Sequence, residues 1–196
     1  TPVARSDQRL VRDIAEKLGL AHTPRAYTVA ARVSPMVCGW LTPRVILPES
    51  LWRHLDLDAR RAVLTHELAH LRRRDQWVRL GEIVVGVLYW WHPVLWAVRR
   101  RLREEADLCC DAWVTTLFPR LRRSYAEALL RTRVYLSTSG AVAPVAGLGM
   151  ASARSRRFSR RLTMVMTGRT RPMASPVGLA LALVVGTAAV VVGPSL

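Results

Sequence analysis

His66, Glu67 and His70 form the pattern H-E-x-x-H inside a run from Asp58 to Arg74 that is helical in character. On a helix, positions i and i+4 lie one turn apart on the same face, so the two imidazoles can converge on one metal ion. Glu67 then stands beside that ion. This is what zinc hydrolysis needs: two neutral imidazoles hold Zn²⁺, an open position keeps a water, and a carboxylate takes the proton as that water attacks a carbonyl. The competing reading is a charged helix face carrying these residues by coincidence, expected on the order of once in a hundred chains of this length.

A metal held by two histidines needs a third protein ligand, and the segment Arg99 to Leu117 offers candidates. Glu104, Asp107 and Asp111 are spaced by three and four and fall on one helical face. One of them is expected to ligate, and another carboxylate to orient a ligating imidazole through its second nitrogen. Spacing alone leaves the choice open. A solvated acidic face paired with Arg99 and Arg103 is the alternative. His92, set among tryptophans, reads as a polar tip at an interface rather than as a ligand.

These residues require elements to position them. Ser6 to Leu20 reads as an amphipathic helix, with Ser6 as its cap, Leu10, Ile14 and Leu18 at helical spacing, and Gly19 ending it. Ala26 to Val33, Met36 to Trp40 and Val45-Ile46-Leu47 read as strands of a small antiparallel sheet with its turn at 39–43. An edge of that sheet can hold an extended peptide by main-chain hydrogen bonds. Asp58 is the expected cap of the H-E-x-x-H helix, and Arg72, Arg73 and Arg74 suit its C-terminal dipole. Leu80 to Val98 is apolar but interrupted by Glu82 and by Trp90-Trp91-His92-Pro93, which predicts a helix kinked at Pro93 and partly buried in lipid or against the domain. Tyr125 to Leu136 continues as a helix. The fold class is therefore α+β, mainly helical with a small antiparallel β-sheet.

The chain has 196 residues, of which 51% are hydrophobic, so one domain plus a smaller element can be built. A formal charge of +16, nearly all of the excess arginine, suggests nucleic acid, an anionic membrane or a cytoplasmic face beside a membrane span. Residues 139–175 read as a basic linker, and 176–194 as a transmembrane helix, because Val177 to Gly193 carries no charge. At about 1.5 Å per residue that stretch just covers a hydrocarbon core of about 30 Å. Arginines crowd its N-terminal side and none follow it, which places residues 1–175 in the cytoplasm and the protein in the cell membrane. Direct nucleic-acid binding is accordingly not expected. Three cysteines, two of them adjacent, cannot form a disulfide framework and indicate a reducing compartment. Starting at Thr1 with no apolar leader, the chain is expected to be a piece of something longer.

Taken in order, Ser34-Pro35, Gly39, Pro43 to Pro48, His66 to Leu71 with Asp75, Trp91-His92-Pro93 with Trp96, and Asp107 to Ala112 resemble the BlaR/MecR-type membrane zinc metallopeptidases over about residues 34–137. The resemblance implies a gluzincin-like domain at residues 1–138, on the cytoplasmic side, that cuts a protein such as a transcriptional repressor after an external signal. It implies Zn²⁺ held by His66, His70 and Asp107, with Glu67 as general base and Asp111 supporting a ligating histidine. The ligand position is usually glutamate in that family, so Asp107 is one methylene short, and Glu104, one turn earlier, is the alternative ligand. A lipid bilayer and a cytoplasmic protein substrate are the implied partners, with self-association left open. The reading from a different class is a non-catalytic membrane sensor scaffold with a structural zinc site. It leaves Glu67 without a purpose, since a structural site needs no carboxylate beside its first histidine.

Overall fold

The structure is a computed structural model that describes residues 1–137 and 148–168. It opens with α1 (Arg5–Lys17), which buries Leu10, Val11, Ile14 and Ala15. Gly19, at φ +65°, takes the left-handed turn that ends the helix. The expected cap at Ser6 is displaced: the helix begins one residue earlier, behind Ala4, which gives no side-chain capping bond.

Three strands follow, β1 (Arg25–Val29), β2 (Met36–Cys38) and β3 (Arg44–Pro48), in the spatial order β1-β3-β2. β2 and β3 form the expected antiparallel hairpin through the 39–43 turn. There Gly39 sits at φ +92°, and a Cβ would meet the Thr42 carbonyl oxygen at 2.6 Å. β1 pairs with β3 in parallel, so the sheet is mixed rather than antiparallel. The hairpin occupies one side of β3 and leaves β1 the other, which it reaches running in β3's own direction. Val45 and Leu47 alternate inward from the central strand onto the core.

After α2 (Glu49–Arg53) comes α3 (Leu57–Arg72), the helix that carries H-E-x-x-H. Its cap is Asp56, which accepts from the Ala59 amide at 2.7 Å, and not Asp58, which lies in the first turn opposite Arg61 at 3.6 Å. Ala59, Val63, Leu64, Leu68 and Leu71 bury this helix against α1 and the sheet. The expected helix kinked at Pro93 is instead two helices, α4 (Asp75–Leu88) and α5 (Pro93–Leu117). Pro93 takes the first helical position, where its missing N–H leaves nothing unpaired, so the chain restarts there rather than bending. Glu82, buried on α4, pins the pair by accepting from Arg103 Nε and Nη2 at 3.1 Å each.

A 3₁₀ turn leads into α6 (Arg122–Ser137), and α7 (Leu148–Thr167) closes the described chain. Within the linker expected over 139–175, residues 148–167 are helix α7, and the rest of that stretch apart from Gly168 lies outside the described residues. Phe158, Leu162 and Val165 recur at helical spacing between its arginines, and Val165 is buried with Ala62, Val114, Tyr125 and Ala126 in a second core that joins α3, α5 and α6. Among the described residues no helix is long and apolar enough to cross a membrane. The span expected at 176–194 lies outside them.

Candidate metal centre

α3 turns His66 and His70 to one side with their rings 5.0 Å apart at 86°, and α5 crosses that side. The crossing brings Asp107 to the histidines: one ligand atom from each of the three residues lies within 4.8 Å of the others, and Asp107 Oδ1 is 3.8 Å from His70 Nε2. Glu104 faces elsewhere. Its carboxylate pairs with Arg157 at 2.7 Å and Arg100 at 3.3 Å and does not join the group.

Both histidines are locked through their far nitrogens. Tyr125 donates its hydroxyl hydrogen to Asp111 Oδ1 at 2.5 Å, and its oxygen is 2.9 Å from His66 Nδ1. Since that hydrogen is already spent, His66 Nδ1 must be the protonated nitrogen and donate to the phenol oxygen, with Asp111 Oδ1 also 3.0 Å away. His70 Nδ1 donates to Asp75 Oδ2 at 2.7 Å. Each imidazole is therefore left with a bare Nε2. Ligand atoms about 2.0–2.2 Å from a tetrahedral Zn²⁺ stand about 3.4 Å apart, so a 3.8 Å separation of uncoordinated atoms suits such an ion. α5 packs directly on α3, which brings the aspartate within reach of both histidines despite its shorter side chain.

The electrostatics are built from the same contacts. Burial alone would raise the Asp111 carboxyl, but Arg161 clamps it at 2.8 Å through Nε and Nη2, and together with His66 holds it far below the usual carboxylate range. Burial also opposes charge on His70, yet the Asp75 hydrogen bond and the nearby Glu67, Asp75 and Asp107 charges raise its pKa overall. Asp75 is lowered, because His70 and Arg73 outweigh its burial. Glu67 is raised: burial and the Asp107 charge outweigh the attraction of the two histidines. Tyr125 is pushed well up by burial and by Asp111, so it stays a phenol. A second group, His70, Asp75 and Cys110, also lies together. Burial and Asp75 raise the pKa of its thiol, so Cys110 is a neutral thiol in the metal-free chain.

Three residues of this network escaped the sequence reading. Asp75 stood only as part of a motif, without a role. Tyr125 carried no local signal, because its partners lie 59 and 14 positions away. Arg161 was hidden among the arginines of the supposed linker, and the apolar spacing of Phe158, Leu162 and Val165 was the signal that could have revealed its helix. A cavity of about 520 Å³ opens beside His66 and Glu67, walled by Ser34 and Pro35 ahead of β2, by Tyr125 and Leu129 of α6, and by Phe158 and Arg161 of α7.

Two imidazoles and a carboxylate beside a helix-borne glutamate at the wall of a cleft make a group that could hold a metal ion, as the metallopeptidase class requires. The sequence matches the BlaR1 peptidase M56 family over residues 3–165, and the chain belongs to that metallopeptidase family. The match extends from α1 through most of α7. The Regulatory protein BlaR1 of Bacillus licheniformis is 28% identical over 139 residues, 70% of this chain and 22% of that protein. A Methicillin resistance mecR1 protein of Staphylococcus aureus is 22% identical over 105 residues, 53% of this chain and 18% of that protein. A Protease HtpX homolog of Thermococcus kodakarensis is 25% identical over 143 residues, covering 67% of this chain and 48% of that one. The chain thus spans about a fifth of the first two relatives and about half of the third.

Proposed function

We propose that this chain is the catalytic part of a membrane-anchored, zinc-dependent endopeptidase that answers an external signal by cutting a cytoplasmic protein, a transcriptional repressor being the substrate class. The observation that carries the reading is the meeting of His66, His70 and Asp107, each imidazole tied at Nδ1, with Glu67 on the same helix at the cleft. When bound, Zn²⁺ supplies the Lewis acidity that polarises a scissile carbonyl. His66, His70 and Asp107 would hold it. Asp75, and Asp111 acting with Tyr125, keep the two rings in the tautomer that presents Nε2.

Glu67 takes a proton from the water that attacks the carbonyl carbon and passes it to the leaving nitrogen as the C–N bond breaks. One water is consumed, and a carboxylate and an amine result. A carboxyl raised by burial is a better base for that transfer. β2 is an edge strand, and Ser34-Pro35 just ahead of it lines the same cavity as His66 and Glu67, which suits an extended substrate strand laid along β2.

Anchoring rests on the uncharged stretch at 176–194, and the arginines before it favour a cytoplasmic domain. The names of two relatives speak of regulation and of methicillin resistance, in keeping with a signalling role. Replacing Glu67 by Gln tests the chemistry. The purified variant should keep its zinc by elemental assay and lose cleavage of a repressor substrate; cleavage at the wild-type rate would end the general-base assignment.

A further inference from the structure

The end of α4, the turn 89–92 and the start of α5 form a helical hairpin tip that nothing in the structure covers among the described residues. From Ile83 to Val98 the sequence carries no Asp, Glu, Lys or Arg. Val87 is 70% exposed, Trp90 66% and Trp91 59%, with Val84, Leu88 and Trp96 beside them. A face of this size and composition is not left to water in a soluble domain. We propose that this tip dips into the headgroup and upper acyl region of an anionic bilayer without crossing it, a second membrane contact independent of the stretch at 176–194.

The dimensions select that occupant. The apolar parts of the two helices, Ile83–Leu88 and Pro93–Val98, each rise about 8 Å at 1.5 Å per residue. Interfacial helices bury about 5–10 Å, whereas crossing needs about 30 Å. Charge sets the depth. Exposed arginines begin at the base of the apolar zone, Arg79 on α4 and Arg100, Arg101 and Arg103 on α5, at the level where lipid phosphates would meet them. Glu82, the acid at that level on α4, is already neutralised by Arg103 at 3.1 Å, with Arg79 and Arg99 at 3.8 and 3.9 Å.

The backbone of the tip also suits lipid, where an unpaired polar group is costly. Trp96 Nε1 donates to the Trp90 carbonyl at 2.9 Å, the Tyr89 amide to Val85 O at 2.9 Å, the His92 amide to Tyr89 O at 3.0 Å, and the Leu95 amide to His92 O at 3.1 Å. These bonds satisfy part of the turn from within, and its remaining amides can be met by water and headgroups at the depth of the interface.

This inference deepens the membrane reading given above, and the test separates the two. In a Cys38→Ser background, which removes the exposed thiol and leaves the buried Cys109 and Cys110, the variants Val87→Cys, Leu57→Cys and Val185→Cys of the full chain are labelled with an environment-sensitive fluorophore. They are then reconstituted in phosphatidylcholine–phosphatidylglycerol vesicles bearing a nitroxide high on the acyl chain. Label at 87 should be quenched several-fold more than label at 57, an exposed site at the start of α3, and its quenching should rise with the phosphatidylglycerol fraction. Quenching at 185 with none at 87 overturns the dip while leaving the anchor. Absence of quenching at both sites overturns the dip together with the membrane reading. A blue-shifted label at 87 that lipid nitroxides do not reach means that a second copy of the chain covers the tip, and refutes lipid contact.

Discussion

Arg161→Met removes the guanidinium that holds Asp111 without removing any atom of the three-residue metal group. Asp111 is 1% exposed, and the substitution deletes both of its 2.8 Å contacts with Arg161 while its negative charge stays buried. Breaking a buried pair from one side costs about 3–5 kcal/mol, and the remaining 23% exposure of the Arg161 side chain lets some water in, so a loss of about 3 kcal/mol in unfolding free energy is expected. Metal affinity should fall about 10- to 100-fold, because Asp111 and Tyr125 together fix the tautomer of His66. Acid behaviour gives an independent readout. The Asp111 carboxyl is held below its unfolded value of about 3.9, so its stabilisation is full above that pH and is lost as the pH falls toward the depressed folded value. The variant should lose that part of its acid dependence. Chemical unfolding of the metal-free chain and zinc titration against a competing chelator make the measurement, with Arg160→Met as the control. Arg160 meets Glu105 at 3.8 Å with both side chains more than half exposed, and its loss should cost less than about 1 kcal/mol. Equal small effects of the two substitutions on stability and on zinc would refute the assignment of Arg161 as the anchor of Asp111.

Asp107→Ala should weaken zinc binding far more than Glu104→Ala, since Glu104 is occupied by Arg100 and Arg157; the reverse order in a chelator competition would move the third ligand. His70 has a raised pKa, so in the metal-free chain its ion pair with Asp75 stabilises fully below about pH 6.5 and is lost as the pH rises through the folded value. Protons compete with metal over that same range: zinc affinity should climb with pH beyond 6.5, and Asp75→Asn should shift the climb to lower pH. In thiol labelling of the native chain, exposed Cys38 should react while Cys109 and Cys110, buried and with raised pKa values, should not; all three should react after unfolding. Rapid modification of Cys110 in the folded protein would contradict its packing against the metal group.

The sequence by itself determined what depends on a single helix. A period of 3.6 residues puts His66 and His70 on one face whatever surrounds them, and it puts Glu104, Asp107 and Asp111 on another, so the parts of the centre were legible before any contact was known. The family likeness fixed their order. Tertiary structure decided which acid faces the histidines, because the rotation of α5 about its axis relative to α3 is set by packing and has no trace in spacing. Strand direction was likewise beyond the pattern: β1 alternates equally well in a parallel or an antiparallel pair, and its parallel sense beside β3 follows from the path of the chain through β2. Pro93 reads the same as a kink or as a first residue until the turn before it is seen. Arg161 lies 50 positions from Asp111, with a run rich in small residues between, so its charge looked like that of any linker arginine. An ion pair closed across that distance is a property of how α7 packs: Asp111 was expected beside a ligating histidine, but Tyr125 and Arg161, which complete the support of His66, were assigned by the fold alone.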